Sequence, residues 1–358
     1  MRTIEVKLGA KSHAALVGAG LLERLGELAR AAGLVAGRCA IVTDANVEKL
    51  YAARAADSLR KSGFAPVVIA VAAGESSKSL ATLEILYDRM TEAGLDRAST
   101  VFALGGGVVG DLAGLGAATY LRGLALVQVP TTVVAQVDSA LGGKTGINHR
   151  HAKNLIGAFY QPRLIVADFD TLATLPEREF REGLAEVIKY GAIMDAPMVA
   201  LLERSLDGIL ARKSELLEEV VARSLAHKAS VVSADELESG PRKLLNFGHT
   251  IGHAIEASAG YGKYYHGEAV AIGMVAAARL SSQYAGFSAD EAARLQRLIE
   301  RAGLPIAMPT GWRSEDFLRA LNLDKKRSGS AVEFVLLDRL GHALTRALSV
   351  DEILNPLA

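Results

Sequence analysis

Short apolar runs and helical stretches alternate along the first half of the chain. Helical patterns begin near Asn46 and Ser79, and another follows the glycine-rich sequence after Leu104. The apolar and β-branched runs cover residues 39–43, 66–71, 101–104, 125–129 and 164–166. An alternation of strands and helices is typical of a parallel sheet with helices on its faces. The pattern therefore predicts an α/β N-terminal domain with a Rossmann-like parallel sheet.

The periodicity changes after about Leu175. From residue 176 to about residue 321, apolar positions recur at helical spacing, as in the amphipathic stretches 214–234 and 267–285. Residues 332–337 are an exception and predict a short strand. The 358 residues exceed what one core usually covers, so we expect two domains. Residues 1–175 form the α/β domain and residues 176–358 a mainly α-helical one.

Composition excludes several classes of function. The 40 basic residues balance the 40 acidic ones, which leaves no overall field for nucleic acid or an anionic membrane. Residues 1–8 alternate like a strand and do not resemble a signal peptide, and no apolar stretch approaches the roughly 20 residues of a membrane span. Cys39 is the single cysteine, so no disulfide framework is possible. We expect a cytoplasmic protein with a small polar ligand and no nucleic-acid or membrane partner.

A glycine-rich segment, GGGVVGD at residues 105–111, follows a predicted strand and opens a predicted helix. Backbone amides and the positive helix end can hold phosphate oxygens at such a position. The segment fits the dinucleotide pattern, but it follows a middle strand and has no ribose-binding acid about 20 residues later. A plain strand-to-helix turn is therefore an alternative. Asp44 and Glu75, which follow earlier strands, suit ribose hydroxyls, but such residues also serve as helix N-terminal residues.

Candidate metal ligands concentrate in the second half. His249 and His253 are four residues apart in a predicted helix and so share one face. Glu186 and Lys189 share a face of an earlier helix, and His266 lies at the start of a later one. One glutamate and two histidines suffice for a catalytic zinc, whereas the glutamate that follows the first histidine in zincin proteases is absent. A structural, hydrogen-bonded role remains the alternative for a single histidine such as His266.

Cationic and amide side chains suited to an anionic substrate follow the glycine-rich segment. Lys144 lies in the apolar, glycine-rich sequence LGGKTG, where a charged side chain needs a partner, and the spacing is not that of a P-loop. Lys228 lies in a predicted helix and by default would be a solvated charge. The candidates are Arg122, Asp138, Lys144, Lys153, Asn154, Lys228, Arg242 and Asn246.

These segments together resemble the 3-dehydroquinate synthases, a family of sugar phosphate cyclases related in fold to the iron-dependent alcohol and glycerol dehydrogenases. The resemblance extends over nearly the whole chain. Residues 149–152 depart from it, because the family usually has proline and glycine there. The segments that carry the resemblance are residues 105–111, 129–132, 137–139, 142–145, 153–157, 185–189, 246–250 and 266–268.

The resemblance implies a set of site residues. A divalent metal, zinc or cobalt, would be bound by Glu186, His249 and His266, with His253 on the substrate side. The NAD site would comprise Asp44, Gly74, Glu75, Lys78, Gly107, Val108, Val109, Gly110, Asp111, Thr131, Thr132, Lys144, Lys153, Thr171, Leu172 and Thr174. The catalytic and substrate-binding set would comprise Arg122, Asp138, Lys144, Asn154, Lys189, Lys228, Arg242, Asn246, His253 and one lysine of Lys325 and Lys326.

The resemblance also implies a reaction. A sugar-acid phosphate, 3-deoxy-D-arabino-heptulosonate 7-phosphate, would become 3-dehydroquinate and phosphate through NAD-mediated oxidation, phosphate elimination, reduction and intramolecular aldol closure, as a step of aromatic amino acid biosynthesis. A homodimer is implied too. Alternatives are another sugar phosphate cyclase that makes aminodehydroquinate, valiolone or inosose, a metal-dependent NAD dehydrogenase of the same fold, and a catalytically silent binding module. Arg242 favours a substrate with a carboxylate.

Overall fold

The computed structural model describes residues 1–259, 263–310, 327–328 and 331–354. The chain divides into two compact units. The first contains residues 1–175 and also residues 217–237, and the second contains the other described residues. The first division falls where the periodicity of the sequence changes.

The elements are numbered along the chain. The strands are β1 (Arg2–Val6), β2 (His13–Gly18), β3 (Arg38–Asp44), β4 (Ala65–Val71), β5 (Thr100–Gly105), β6 (Ala125–Pro130), β7 (Lys144–His149), β8 (Ala152–Phe159), β9 (Leu164–Asp168), β10 (Arg327–Ser328), β11 (Ala331–Arg339) and β12 (His342–Ser349). The helices are α1 (Leu25–Ala31), α2 (Ala45–Val47), α3 (Ala53–Lys61), α4 (Leu80–Glu92), α5 (Gly107–Thr119), α6 (Glu177–Met194), α7 (Ala196–Leu210), α8 (Ser214–Ala234), α9 (His249–Ala259), α10 (His266–Tyr284), α11 (Ala289–Arg301) and α12 (Val350–Leu354).

A seven-stranded sheet of order β1-β2-β9-β6-β5-β3-β4 forms the centre of the first unit. All of its neighbouring strands are parallel except β1 and β2. The chain runs from β3 to β4 on one side and then returns to place β5 on the other side of β3. The order of the strands therefore reverses between β3 and β5. In open α/β sheets, ligands bind beyond the carboxyl ends of the strands at such a reversal.

Both faces of this sheet are covered by apolar side chains. Cys39 and Ile41 of β3 belong to one core cluster, which also contains residues of α1 and α3. Ala40 and Val42 belong to a second cluster, which contains residues of α4 and α5. Alternate residues of a strand point to opposite faces, so β3 is buried on both sides. This explains its continuous apolar sequence and confirms the predicted α/β class.

The sequence pattern missed β2 and the antiparallel hairpin of β7 and β8. The hairpin forms a separate two-stranded sheet, in which Gly146 lies opposite Gly157. A Cβ atom on Gly157 would lie 2.2 Å from the carbonyl oxygen of Thr145, so this pairing depends on glycine. Because glycine and polar residues are unfavourable in most strands, the pattern gave no strand signal here.

Helices dominate the second unit, as the periodicity predicted. The amphipathic stretch predicted at 267–285 is α10, and the strand predicted at 332–337 lies within β11. β11 pairs with β10 and with β12 in a three-stranded antiparallel sheet. The hydrophobic pattern did not predict β12, because the exposed residues Thr345 and Arg346 interrupt its apolar positions.

Residues 217–237 are the part of the helical half that lies with the first unit. Within that unit, Lys228 pairs with Asp138, and Glu218 is near Arg2. Glu236 accepts a hydrogen bond from Gln161 at 3.1 Å. These polar contacts are the physical reason why α8 departs from the domain division that the sequence suggested. Among the described residues, no helix combines the length and the apolar character that a membrane crossing requires.

Candidate metal centre and cofactor-side residues

Three predicted metal ligands converge in the second unit. Glu186 lies on α6, and His249 and His266 are the first residues of α9 and α10. One potential ligand atom from each lies within 4.8 Å of those of the other two. The Oε1 atom of Glu186 is 3.4 Å from Nε2 of His249 and 3.5 Å from Nε2 of His266. These are separations that a small ion between the three atoms could bridge after slight adjustment.

The donors around this point suit a divalent metal. Both carboxylate oxygens of Glu186 are buried, and their neighbours are Lys189 at Oε2 and the two imidazoles at Oε1. The Nδ1 atom of His249 is 3.2 Å from the carbonyl oxygen of Phe247, and that of His266 is 3.1 Å from Oε2 of Glu256. Each Nδ1 therefore has an acceptor within reach, and Nε2 is the nitrogen that faces Glu186 and could bind a metal. One oxygen and two imidazole nitrogens fit zinc or cobalt.

A buried cation balances the carboxylate. Lys189 is 1% exposed and forms an ion pair with Oε2 of Glu186. Burial alone would raise the pKa of Glu186, but Lys189 and His249 outweigh it and hold that pKa well below its usual range. Glu186 is therefore ionised, as a metal ligand must be. The prediction that Glu186 and Lys189 share one helix face is confirmed.

The two histidine ligands differ electrostatically. Burial lowers the pKa of His249, which favours the neutral imidazole that binds metals. Burial opposes protonation of His266 as well, but hydrogen bonds to Glu186 and Glu256 outweigh it and raise the pKa of His266 to about 10. His266 therefore has two carboxylate neighbours, one at each ring nitrogen.

His253 lies beside the three ligands and is exposed. Its ring centroid is 5.5 Å from that of His249 and 5.9 Å from that of His266. This agrees with the helical spacing of His249 and His253 on one face of α9. The substrate-side role of His253 remains a prediction.

A close approach of α6 and α10 brings the ligands together. A Cβ atom on Gly267 would lie 1.8 Å from the carbonyl oxygen of Glu182, so only glycine fits next to His266. The Gly267 amide also donates to Oε2 of Glu182 at 2.7 Å. Burial raises the pKa of Glu182 to about 7. Sequence reasoning missed Glu182, although it lies one helical turn before Glu186.

The glycine-rich segment of the first unit has the predicted geometry. β5 ends at Gly105 and α5 begins at Gly107. The hydroxyls of Thr131 and Ser139 are buried and have no hydrogen-bond partner among the described residues. A Cβ atom on Gly107 would lie 3.0 Å from Oγ of Ser139. Free helix-terminal amides, unsatisfied hydroxyls and missing side chains together suit a pyrophosphate.

Residues predicted for different parts of NAD and substrate form one polar cluster. The ammonium of Lys78 donates to Oδ2 of Asp111 at 2.7 Å and to Oδ1 of Asn154. The side chain of Asn148 donates to Oε1 of Glu75 at 2.7 Å and accepts from the backbone N–H of Asn154 at 2.8 Å. Burial raises the pKa of Asp111, although Lys78 opposes it. Sequence reasoning missed Asn148, which links the hairpin to the loop after β4.

Lys228 and Asp138 form a second cluster. Lys228 is 5% exposed and pairs with Oδ1 of Asp138 at 2.9 Å, and it donates to the Asp138 carbonyl at 2.7 Å. The default expectation of a solvated lysine is therefore wrong. Asp138 lies in a π-helical turn, Ala135–Ser139, a geometry that is frequent at functional sites.

Several predicted cofactor residues already have structural partners. Asp44 caps α2 by accepting hydrogen bonds from the amides of residues 46 and 47, as the helix-terminal alternative expected. Thr171 donates to the carbonyl of Asp168 at 2.7 Å, and the Thr174 hydroxyl is 2.6 Å from that of Tyr51. The Thr132 hydroxyl accepts a hydrogen bond from the backbone amide of Ala135. Leu172 is buried, and Gly74 has a φ of 102°, in the left-handed region that favours glycine.

Other predicted residues are open to solvent. Arg122 and Lys144 are exposed. The three residues before Lys144 are buried, whereas Lys144 itself is exposed. Val108 and Lys153 are half-buried, Val109 is buried, and a Cβ atom on Gly110 would meet Gln128 at 2.9 Å.

The remaining candidates lie in the second unit. Arg242 is 2% exposed, and Asn246 donates to Oε1 of Glu238 at 3.0 Å. A guanidinium group that is buried to this extent needs polar partners within the protein. Lys325 and Lys326 lie outside the described residues.

Family models match most of the chain. The model for the C-terminal part of 3-dehydroquinate synthase matches residues 183–327, and the model for its N-terminal part matches residues 68–182. The chain belongs to the 3-dehydroquinate synthase family. It is 48% identical over 357 residues to a 3-dehydroquinate synthase of Geobacter metallireducens, covering 99% of this chain and 98% of the relative. The chain is accordingly an enzyme of the lyase class, and the resemblance drawn from its motifs is confirmed.

Solved structures support the same fold. A 2-deoxy-scyllo-inosose synthase complexed with carbaglucose-6-phosphate, NAD+ and Co2+ is 26% identical, with a TM-score of 0.89 and coverage of 99% of each chain. A 2-epi-5-epi-valiolone synthase from Streptomyces hygroscopicus with bound NAD+ and Zn2+ is 29% identical, with a TM-score of 0.88 and coverage of 96% of this chain and 95% of that one. The predicted dehydroquinate synthase-like fold is confirmed.

Proposed function

We propose that the chain catalyses the 3-dehydroquinate synthase reaction with bound NAD and a divalent metal, zinc or cobalt. The substrate is 3-deoxy-D-arabino-heptulosonate 7-phosphate, and the products are 3-dehydroquinate and phosphate. The observation that carries the proposal is the convergence of Glu186, His249 and His266 in a chain that matches 3-dehydroquinate synthases over nearly its full length.

The proposed reaction is an elimination enabled by a temporary oxidation. When bound, NAD accepts and returns the C5 hydride, and the metal polarises the C5 hydroxyl as a Lewis acid. The C5 ketone makes the C6 proton acidic, and loss of that proton expels phosphate from C7. After C5 is reduced again, the ring opens and an aldol step closes the carbocycle. Hydride is conserved, so the net reaction consumes no NAD.

The chain's own cations and amides hold the phosphate end in this proposal. Lys144 is exposed, so a ligand in solvent can approach its ammonium group. Lys189 and His253 lie beside the metal ligands, and Asn154 lies in the cluster of Lys78. The leaving phosphate accepts the C6 proton, while these groups orient it and stabilise its charge.

The carboxylate end is assigned to other residues. Arg242, with its planar guanidinium, can donate two parallel hydrogen bonds to a carboxylate. Lys228 and Asn246 would hold ring hydroxyls and orient the sugar acid. Arg122 completes the substrate set. The carboxylate distinguishes this substrate from those of valiolone and inosose synthases, which lack one.

The test is a comparison of phosphate release from three substrates. We expect release from 3-deoxy-D-arabino-heptulosonate 7-phosphate and none from sedoheptulose 7-phosphate or glucose 6-phosphate. Release from one of the latter alone would contradict the proposal and favour a different cyclase. Stoichiometric accumulation of NADH would instead favour a dehydrogenase.

We also propose that the enzyme acts as a homodimer. Sedimentation equilibrium of the holoenzyme would measure its mass. Twice the mass of the 37.7 kDa chain is expected, and a monomer at assay concentration would contradict this part of the proposal.

A further inference from the structure

A carboxylate outside the predicted ligand set contacts one of the metal ligands. Glu256 lies on α9, seven residues after His249 and three after His253, so all three share a face of the helix. Its Oε2 atom is 3.1 Å from Nδ1 of His266 at the start of α10. The side chain of Glu256 is only 11% exposed. A carboxylate that is largely removed from water needs a strong partner, and the imidazole N–H supplies one.

This contact determines which nitrogen of His266 is available. With Nδ1–H donated to Glu256, Nε2 is the ring nitrogen that faces Oε1 of Glu186, at 3.5 Å, and it is the nitrogen left to bind a metal. His249 has the same orientation, but its Nδ1 is held by the peptide carbonyl of Phe247. The two ligands are therefore fixed by different partners, one neutral and one a carboxylate. A carboxylate on the second nitrogen also increases the basicity of a ligating imidazole.

His266 needs such a partner more than His249 does. The side chain of His249 is 11% exposed, whereas that of His266 is 35% exposed. Packing therefore restrains the first ring more than the second. The hydrogen bond from His266 also joins the start of α10 to α9, the helix that carries His249.

We propose that Glu256 is a positioning residue for the metal centre, which fixes the tautomer and the ring orientation of His266. The inference rests on the proposed function, because it presupposes a metal at Glu186, His249 and His266. It assigns Glu256 no contact with the metal itself. Glu256, His253 and His266 also have potential ligand atoms within 4.8 Å of one another, so a second metal ion is the competing interpretation.

The test measures metal affinity and not turnover. Wild-type protein, Glu256→Ala and Glu256→Gln would be stripped with a chelator and titrated with Zn2+ against a chromophoric chelator. We expect about 10- to 100-fold weaker binding for Glu256→Ala, the range found when such partners are removed. Glu256→Gln retains an acceptor oxygen but no charge, so we expect an intermediate affinity. The visible spectrum of bound Co2+ should shift in Glu256→Ala, which reports ligand geometry directly.

Glu268→Gln is the matched control. Glu268 accepts from Arg178 at 2.7 and 2.8 Å and from the Tyr265 amide at 2.9 Å, so it also holds the start of α10. Among the described residues, these contacts hold the start of the helix, and none of them involves the His266 ring. Glu268→Gln should change metal affinity less than about threefold if ring orientation is what matters.

Each outcome decides the matter. Unchanged affinity in Glu256→Ala would overturn the inference, as would an equal loss in Glu268→Gln. A second Zn2+ per wild-type chain that disappears in Glu256→Gln would identify Glu256 as a ligand and also overturn it. Failure of the wild-type chain to bind metal at all would contradict the proposed function instead, and the inference with it.

Discussion

The metal side and the cofactor side of this enzyme are organised differently. At the metal side, Glu186, His249 and His266 already face a common point, and Lys189 balances their carboxylate. At the cofactor side, predicted side chains either have partners within the protein or are exposed. Among the described residues there, the buried hydroxyls of Thr131 and Ser139 have no hydrogen-bond partner, and α5 begins at Gly107, where helix-terminal amides can bind an anion. A metal needs preorganised side chains, whereas a pyrophosphate can be held by backbone and helix terminus.

The largest effect is expected from Glu186→Gln. The substitution preserves shape but removes the ligand charge and leaves Lys189 buried without its carboxylate. We expect turnover to fall by about 10³-fold or more, because a Lewis acid contributes several kcal/mol and each 1.36 kcal/mol is tenfold. Elemental analysis of the purified variant should show loss of bound metal. Full metal content with normal turnover would contradict the assignment.

Lys189 and Lys144 offer the sharpest comparison of a buried and an exposed lysine. Lys189→Met should destabilise the protein by about 3–5 kcal/mol, because the buried carboxylate of Glu186 would lose its ion pair with Lys189. Lys144→Met should change the free energy of unfolding by less than about 0.5 kcal/mol. Urea unfolding measures both.

Turnover should fall in both lysine variants. Loss of a hydrogen bond to a charged group costs about 1.5–3 kcal/mol, which corresponds to about 10- to 100-fold. Lys49→Met is the control, since Lys49 is also exposed but lies outside every predicted site. Unchanged turnover in Lys144→Met would remove Lys144 from the phosphate site.

A moderate effect is expected at the start of α5. A Cβ atom in Gly107→Ala would lie 3.0 Å from Oγ of Ser139 and fill space beside the helix terminus. We expect NAD affinity to fall about tenfold, or about 1.4 kcal/mol, by isothermal titration calorimetry. Gly37→Ala is the control, because a Cβ atom there meets nothing within 4 Å. Equal affinity of both variants would place the pyrophosphate elsewhere.

The smallest effect concerns Cys39. Burial raises the pKa of its thiol to about 12, and its side chain is 0% exposed. Only the thiolate reacts with a disulfide reagent, so the native protein should not react at pH 8. After unfolding in urea, one thiol per chain should react. Rapid reaction of native protein would show that β3 opens readily.

Residue types and spacings made much of this structure predictable. The alternation of strands and helices predicted β3 to β6, and the four-residue spacing of His249 and His253 predicted their common helix face. That Glu186 and His266 would join His249 as metal ligands was implied only by family resemblance, because their convergence depends on the close contact at Gly267. Spacing within one helix carries no information about such contacts between helices.

The failures have the same physical origin. Lys228 was expected in solvent, since its own helix does not reveal that Asp138 lies opposite. The apolar sequence around Lys144 likewise did not reveal that this residue is exposed, since the burial of its neighbours does not fix the direction of its side chain. Glu256 was within reach of sequence reasoning, because it shares the helix face of His249 and His253.

The most direct test of the proposed function is phosphate release from 3-deoxy-D-arabino-heptulosonate 7-phosphate with substoichiometric NAD, with and without a chelator. We expect phosphate and 3-dehydroquinate in equal amounts that far exceed the amount of NAD present, and no net formation of NADH. Activity should be lost on chelation and should return when Zn2+ or Co2+ is added. Turnover limited to the amount of NAD, or undiminished by complete removal of metal, would contradict it.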